Sequence, residues 1–247
     1  MLSNINILTK EMNRVIFKNL GIIKFKDAWE LQESLLKSIV DVKKENRNNP
    51  KNKKKTKNYL LFCEHPDVYT LGKSGNKDNL LLNDELLKKE GIDFFKINRG
   101  GDITYHGPGQ LVVYPIFDLD NFFTDIHKYL RFLEEVVVLV LKNYNLVGER
   151  LEGSTGVWLG VKGGAPRKIC AMGVRASRWV TMHGLAFNVS VDLSRFGGII
   201  PCGITDKSVT SLSVELKKDV FLEEVSLLFQ EKFKEVFNID LVNEKGF

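Results

Sequence analysis

Twelve residues, Arg99-Gly100-Gly101-Asp102-Ile103-Thr104-Tyr105-His106-Gly107-Pro108-Gly109-Gln110, hold four glycines and a proline between two apolar runs. Regular structure does not pass easily through such a stretch. Glycine leaves the backbone unrestrained and proline removes a hydrogen-bond donor. The chain is expected to open here into a polar loop between a strand over Phe94 to Ile97 and another over Leu111 to Phe117. Glycines at this density let the main chain approach a ligand closely, and Arg99, Thr104, His106 and Gln110 offer polar contacts around it. An ordinary surface turn is the simpler reading. Surface turns seldom set Arg, His and Gln among glycines between two apolar strands.

Around this loop the apolar residues follow two periods. Val15 to Leu20 reads as a strand, and Tyr59 to Cys63 as a continuous apolar run of the kind buried on both faces. Asp27, with Glu30 three residues on, reads as the start of a helix carrying Ala28, Leu31, Leu35 and Ile39 at helical spacing. Asn83 and Gly91 bracket a short helix through Leu86 and Leu87. A long helix over Thr124 to Asn145 places Ile126, Leu130, Leu133, Val137 and Val140 on one stripe, and a last helix spans Val220 to Phe237. Strand candidates crowd together at Gly156 to Gly160, Lys168 to Val174 and Trp179 to Val189. Strands interleaved with helices around an antiparallel-looking centre predict a single α/β domain over residues 1–247, with a mixed central sheet flanked by helices.

The net charge of +5 is not spread evenly. Lys43 to Lys57 holds eight basic residues and one acid, Glu45, a local +7 that leaves the rest of the chain at −2. This run reads as a solvated loop insertion at about 43–57. Its alternative is a docking arm for an acidic partner, acting on the association rate. It lacks the interleaved aromatics that stack bases, so no nucleic-acid partner is expected. The longest aliphatic run, Val136 to Leu141, is far short of the ~20 residues of a membrane helix. Met1 to Asn13 has no apolar signal-peptide core. A cytoplasmic protein with no membrane partner is expected. Three cysteines without a close pair, and four scattered histidines, suggest neither a disulfide framework nor a metal site.

Two further motifs carry chemistry. Pro201-Cys202-Gly203-Ile204 sets a cysteine on a tight turn with accessible backbone, a candidate reactive thiol. Cys63 ends an apolar strand and reads as a core thiol. Lys168 interrupts the apolar strand Arg167-Lys168-Ile169-Cys170-Ala171-Met172-Gly173. Such a lysine is commonly an edge residue snorkelling to water. The functional alternative is a buried amine paired with an acid. Strand alternation puts Lys168, Cys170 and Met172 on one face and Ile169 and Ala171 on the other, which makes Cys170 a rival to Cys202.

Taken together, these segments resemble the lipoyl(octanoyl) transferase family. Arg99 to Tyr114 looks like its signature, and Glu64-His65-Pro66-Asp67-Val68-Tyr69-Thr70-Leu71-Gly72 resembles its upstream strand and loop. Lys168, Gly184-Leu185-Ala186 and Pro201-Cys202-Gly203-Ile204 follow in the family's order. The likeness covers roughly Val15 to Phe237; the basic insertion, Asp67 and Cys170 depart from the pattern. It implies an α/β fold similar to the catalytic domains of biotin and lipoate protein ligases. It implies an acyltransferase that takes an octanoyl group from acyl carrier protein, through a cysteine thioester, to a lysine of a lipoyl domain. Acceptors would be the lipoyl domains of 2-oxoacid dehydrogenase E2 subunits and the glycine cleavage H protein. Cys202 would be the nucleophile and Lys168 would set its ionisation. Arg99, Gly100, Gly101, Asp102, Ile103, Thr104, Tyr105 and His106 would line the acyl site, with Ala171, Met172, Gly173, Gly184, Leu185 and Ala186. No cofactor and no metal is implied.

The residue types suit that chemistry. Exchange between thioesters is near thermoneutral and needs no ATP, and forming the amide drives the second step. A thiolate both attacks and leaves well. Free thiols and lysines, with pKa values of about 8.5 and 10.4, would both hold their protons, so the pair must be tuned. Lys168 either loses its proton on burial or stays charged and stabilises the thiolate. His106, among glycines and a proline, suggests a shaping role, and His183 a satisfied structural histidine. Met172, Leu185, Phe187 and Val157 are candidate walls of an apolar slot. The main alternative is an ATP-dependent lipoate or biotin protein ligase, in which the cluster of Gly163, Gly164, Arg167 and Lys168 would meet phosphate.

Overall fold

Two strands, β6 (Gln110–Ile116) and β10 (Val180–Asn188), are buried along their whole length, and β2 (Tyr59–Glu64) along all but its last residue. Their unbroken apolar character reflects cover on both faces. The structure, a computed structural model, describes residues 12–200 and 208–243. These strands sit mid-sheet in the order β12 (Ile239–Val242), β1 (Asn13–Ile22), β2, β6, β10, β9 (Arg167–Ser177), β8 (Ser154–Leu159), β7 (Glu149–Leu151), and β11 (Ser208–Val209) joins β9. β1 runs parallel to β2 and β12, while β2, β6, β10 and β9 pair antiparallel, so the sheet is mixed. A small second sheet stacks β4 (Asp93–Lys96), β3 (Val68–Leu71) and β5 (Ile103–His106).

One face of the large sheet packs on α1 (Phe25–Asn48), through Ala28, Leu36 and Ile39 against Leu61, Tyr114 and Met182. The other packs on α3 (Ile126–Asn143) and α5 (Leu222–Phe237), through Leu133, Val137, Phe229 and Phe233 against Phe62, Val113 and Phe187. The α2 helix (Asp84–Glu90) starts on Asn83, whose side chain accepts from the Leu86 N–H, and ends on left-handed Gly91. The short α4 (Leu212–Leu216) completes the set.

Three sequence expectations shift. The α1 helix begins at Phe25, not at Asp27, because buried Phe25 packs on Val68 and Ile97 and carries the helix start with it. Asp27 lies in the first turn, where its charge favours the helix dipole. The basic run is not all loop: Lys43 to Arg47 belong to the last turns of α1. There Lys43 is neutralised by Asp118 and Asp120, and Lys44 by Asp41. Finally, the Gly-rich stretch contains β5, which pairs with β3 and so ties the segment to a second sheet.

Candidate active site

The chemistry of β9 depends on one irregularity. Val157 on β8 pairs with Cys170, but the next residue, Trp158, pairs with Lys168. Two residues of β9 thus stand opposite one step of β8, a β-bulge. Val157 and Trp158 point to opposite faces, so Lys168 and Cys170 do too. Strict alternation therefore fails here. Ile169 and Cys170 are both fully buried in the core beneath α3 and α5, and Lys168 turns to the other face. Its Nζ lies 4.6 Å from the centroid of the Trp158 ring. Burial pushes the Cys170 thiol well up, with Lys168 only a lesser opposing influence. Burial does the same to Cys63. Cys170 thus lies closed off in the core, on the face away from Lys168. Pro201, Cys202, Gly203 and Ile204 lie outside the described residues.

On the Lys168 face, β9 and β10 present small residues in register, Ala171 beside Ala186 and Gly173 beside Gly184. They floor a cavity of about 620 Å³. A Cβ at Gly173 would stand 2.6 Å from the Gly100 carbonyl oxygen, and one at Gly184 would overlap that of Val113. The roof is the Gly-rich segment. It is pinned to β9 by the Gly100 N–H donating to Val174 O at 2.9 Å. Arg99, almost buried, crosses to β3, donating from Nη2 to Thr70 O at 2.7 Å and to Thr70 Oγ1 at 2.9 Å.

Of the expected lining residues, Arg99 to Thr104, His106, Ala171 to Gly173 and Gly184 to Ala186 all border the cavity. Tyr105 does not. Its ring packs against Tyr69 and Phe196 in a satellite core, and its hydroxyl donates to Asp67. Of the candidate walls, Met172 and Leu185 border the cavity, and Phe187 and Val157 lie in the opposite core. Sequence reading missed Phe25, Ile97, Tyr114, Ile126, Leu130, Ser154 and Val209, which come from six separate stretches of chain. No local signal marks them, because each is an ordinary element residue brought in by topology.

A chain of hydrogen bonds stiffens the inner wall. Asn188 Nδ2 donates to Thr210 O at 2.9 Å, and Gln110 Nε2 donates to Asn188 Oδ1 at 2.8 Å. His106 Nδ1–H then donates to Gln110 Oε1 at 2.7 Å, and Thr70 Oγ1 lies 3.5 Å from His106 Nε2. Burial, with His65, Arg99 and His183 nearby, pushes His106 down to about 3, so the ring is neutral at pH 7. His65 is likewise held near 4, by burial; its Nδ1–H donates to Ile23 O and its Nε2 accepts from Tyr114 OH, both at 2.7 Å. His183 differs from both. It borders the cavity, and among the described residues its buried Nε2 has no hydrogen-bond partner, so it is not the satisfied histidine expected.

Both described flanks of residues 201–207 reach the cavity rim. Ile200 N–H donates to Asn79 O at 2.8 Å, and Asn79 Nδ2 donates to the lining Asp102 at 2.6 Å. On the far side, Val209 pairs with Lys168. The phosphate reading of Arg167 loses its donor: the guanidinium makes a bidentate pair with Glu215, at 2.8 and 3.0 Å.

Residues 24–234 match the family described as the lipoyl protein ligase A/B catalytic domain. The chain is 58% identical over 232 residues to an octanoyltransferase of Christiangramia forsetii, covering 93% of this chain and 99% of that one. It is 63% identical over 206 residues to an octanoyltransferase of Flavobacterium johnsoniae, covering 83% and 88%. Among solved structures, a bi-partite lipoate protein ligase from Thermoplasma acidophilum is similar with TM-score 0.66 at 19% identity, covering 95% of this chain and 87% of that one. Lipoate-protein ligase A bound with ATP is similar with TM-score 0.68 at 18% identity, covering 95% and 89%. At such identities these structures speak to the fold alone.

Proposed function

The chain belongs to the lipoyl protein ligase A/B catalytic-domain family and is an octanoyltransferase that serves protein lipoylation, and from that premise we propose how its residues divide the work. The donor is octanoyl-acyl carrier protein. The acceptors are lysines on lipoyl domains of 2-oxoacid dehydrogenase E2 subunits and on the glycine cleavage H protein, met in the cytoplasm. No helix among the described residues is long and apolar enough to cross a membrane.

Cys202 is the nucleophile and Lys168 its partner. The observation that carries this is the bulge, which turns Lys168 off the Cys170 face and onto the small-residue floor. Both described thiols are buried and pushed up, which favours Cys202 further. The Trp158 ring against Nζ suits an ammonium. In the first half-reaction the Cys202 thiolate attacks the octanoyl carbonyl. The new C–S bond forms as the bond to the carrier sulfur breaks, and Lys168 gives its proton to the departing thiolate. In the second, the acceptor amine attacks the Cys202 thioester and the now neutral Lys168 takes its proton. Thiolate and ammonium are restored, so the cycle balances without ATP. The acyl chain lies over Ala171 and Ala186, pointing toward Gly173 and Gly184, roofed by the Gly-rich segment.

Intact mass of the protein mixed with octanoyl-acyl carrier protein, without ATP, tests this. One octanoyl adduct on the Cys202 peptide, discharged by a lipoyl domain, is expected. An adduct on another residue, or acyl transfer only with ATP and free acid, overturns it.

A further inference from the structure

Past the Gly173–Gly184 pair, β9 and β10 set Val174 beside His183, and both border the cavity. His183 is 2% exposed and borders the cavity, and its Nε2 meets no hydrogen-bond partner among the described residues. Its backbone is left-handed, with φ 59°, a region that a residue with a side chain adopts only under constraint. The constraint comes from α1: Gln32 Oε1 accepts the His183 N–H at 2.9 Å. The other lining histidine, His106, has partners at both ring nitrogens. An unpartnered nitrogen is tolerated while the cavity can hold water, and is costly once an apolar group dries it.

Distance along the strand places this atom relative to Lys168. His183 stands opposite Val174, six residues beyond Lys168. At about 3.3 Å per residue, shortened by the bulge, the two ends lie roughly 17 Å apart. An octanoyl chain built of bonds of about 1.5 Å in a zigzag spans about 9 Å. On the same scale Gly173, five residues from Lys168, is about 13 Å away, so a chain that starts beside Lys168 covers the Ala171–Ala186 pair and stops short of Gly173 and His183. A dodecanoyl chain, about 14 Å long, brings its last carbons to the bare nitrogen.

We propose that His183 is a specificity determinant of this acyltransferase: a polar end wall that admits octanoyl and rejects longer acyl chains by leaving a buried ring nitrogen dry. This rests on the acyl-transfer reading of the cavity. The discrimination is by polarity rather than volume, so the size of the residue at 183 matters less than whether it carries an uncompensated polar atom.

The test compares dodecanoyl and octanoyl donors on acyl carrier protein, reading the ratio of their kcat/KM values for transfer to a lipoyl domain. His183→Leu is expected to raise the dodecanoyl-to-octanoyl ratio about tenfold or more. His183→Asn, which keeps a polar group and suits left-handed backbone, is expected to hold the ratio within about twofold of the parent. An unchanged ratio in His183→Leu overturns the proposal, and so does a rise in His183→Asn equal to that in His183→Leu. Should leucine fail to fold at a positive φ, His183→Gly adopts that backbone freely and is held to the same tenfold criterion. Calorimetric binding of free octanoate and dodecanoate separates this inference from the acyl-transfer reading. If the parent protein transfers no octanoyl group, that reading fails. The affinity ratio of the two fatty acids in parent and His183→Leu then decides the role of His183 by the same tenfold criterion.

Discussion

The two faces of β9 and β10 carry the same backbone and opposite contents. Toward α3 and α5, Cys170 stands beside Phe187 in a packed core, and Met172 beside Leu185 joins that core to the cavity's edge. Toward α1, Ala171 stands beside Ala186 and Gly173 beside Gly184, and the missing side-chain volume opens into the cavity, which Ile126 and Leu130 of α3 also border. A hydrophobic pair of strands thus makes either core or channel, and side-chain size on alternate residues decides which. The bulge then decides which face receives the lysine. A thiol on the core face is out of water and hard to ionise. An amine on the channel face has somewhere to act.

Asking which thiol carries the acyl group is the strongest test of that difference. Cys202→Ser is expected to lower octanoyl transfer about a thousandfold or more, and Cys170→Ser to leave the rate within a few-fold, measured by steady-state transfer to a lipoyl domain. The reverse pattern would return the chemistry to the core face. Lys168→Arg keeps the charge on the channel face and takes away the proton that the proposed mechanism moves. Transfer is expected to fall about a hundredfold. Full activity in that variant would reduce Lys168 to a fixed charge.

Acid should weaken the channel side selectively, because its inner end and the wall behind it hold His65, His106 and His183 neutral. Burial depresses their pKa values in the fold to about 4, 3 and 3. The unfolded chain takes up protons below about 6.5 and the folded one does not, so stability is full above that pH and is lost as pH falls toward the folded values. Between pH 7 and 5 each histidine is expected to cost about 2 kcal/mol, read from urea unfolding. His183→Leu should remove one such share. A flat profile would mean that the rings are hydrated.

Smaller still is the effect of filling the floor. Gly184→Ala sets a Cβ against the Val113 carbonyl oxygen and the Pro115 ring, neither of which moves easily. A loss of about 2–3 kcal/mol is expected, with a lower melting temperature. An unperturbed melt would show that the floor is not tightly packed. The basic run should matter least. Asn48 ends α1 some 23 residues after the cavity-lining Phe25, about 35 Å away along the helix. Neutralising Lys51, Lys53 and Lys55 is expected to lower kcat/KM less than about threefold at low salt and not at all at high salt. A larger loss, persisting in salt, would give this end of the molecule a docking contact.

Much of this was legible in residue order. The Gly-rich stretch announced a close approach of backbone to ligand, and Gly100, Gly101 and the neighbouring Arg99 do roof the cavity. The α2 helix could be bounded from Asn83 and Gly91 alone, since capping is local. The α1 start was misplaced for the opposite reason. A capping pattern at Asp27 was outweighed by the burial of Phe25, a contact with residues over forty positions away. Tyr105 was misassigned because its neighbours all line the cavity and strand alternation turns it the other way.

The sequence by itself determined the class of fold, the order of its motifs and the residue types that acyl transfer needs, because periodicity, caps and glycine density act over a few residues. Only the tertiary structure decided which face each group serves. A one-residue bulge separates Lys168 from Cys170, and its evidence is a pairing with β8 that β9 alone does not contain. The bare nitrogen of His183 is equally non-local. Whether a buried polar atom finds a partner depends on every element packed around it, here α1, the Gly-rich segment and β9 together.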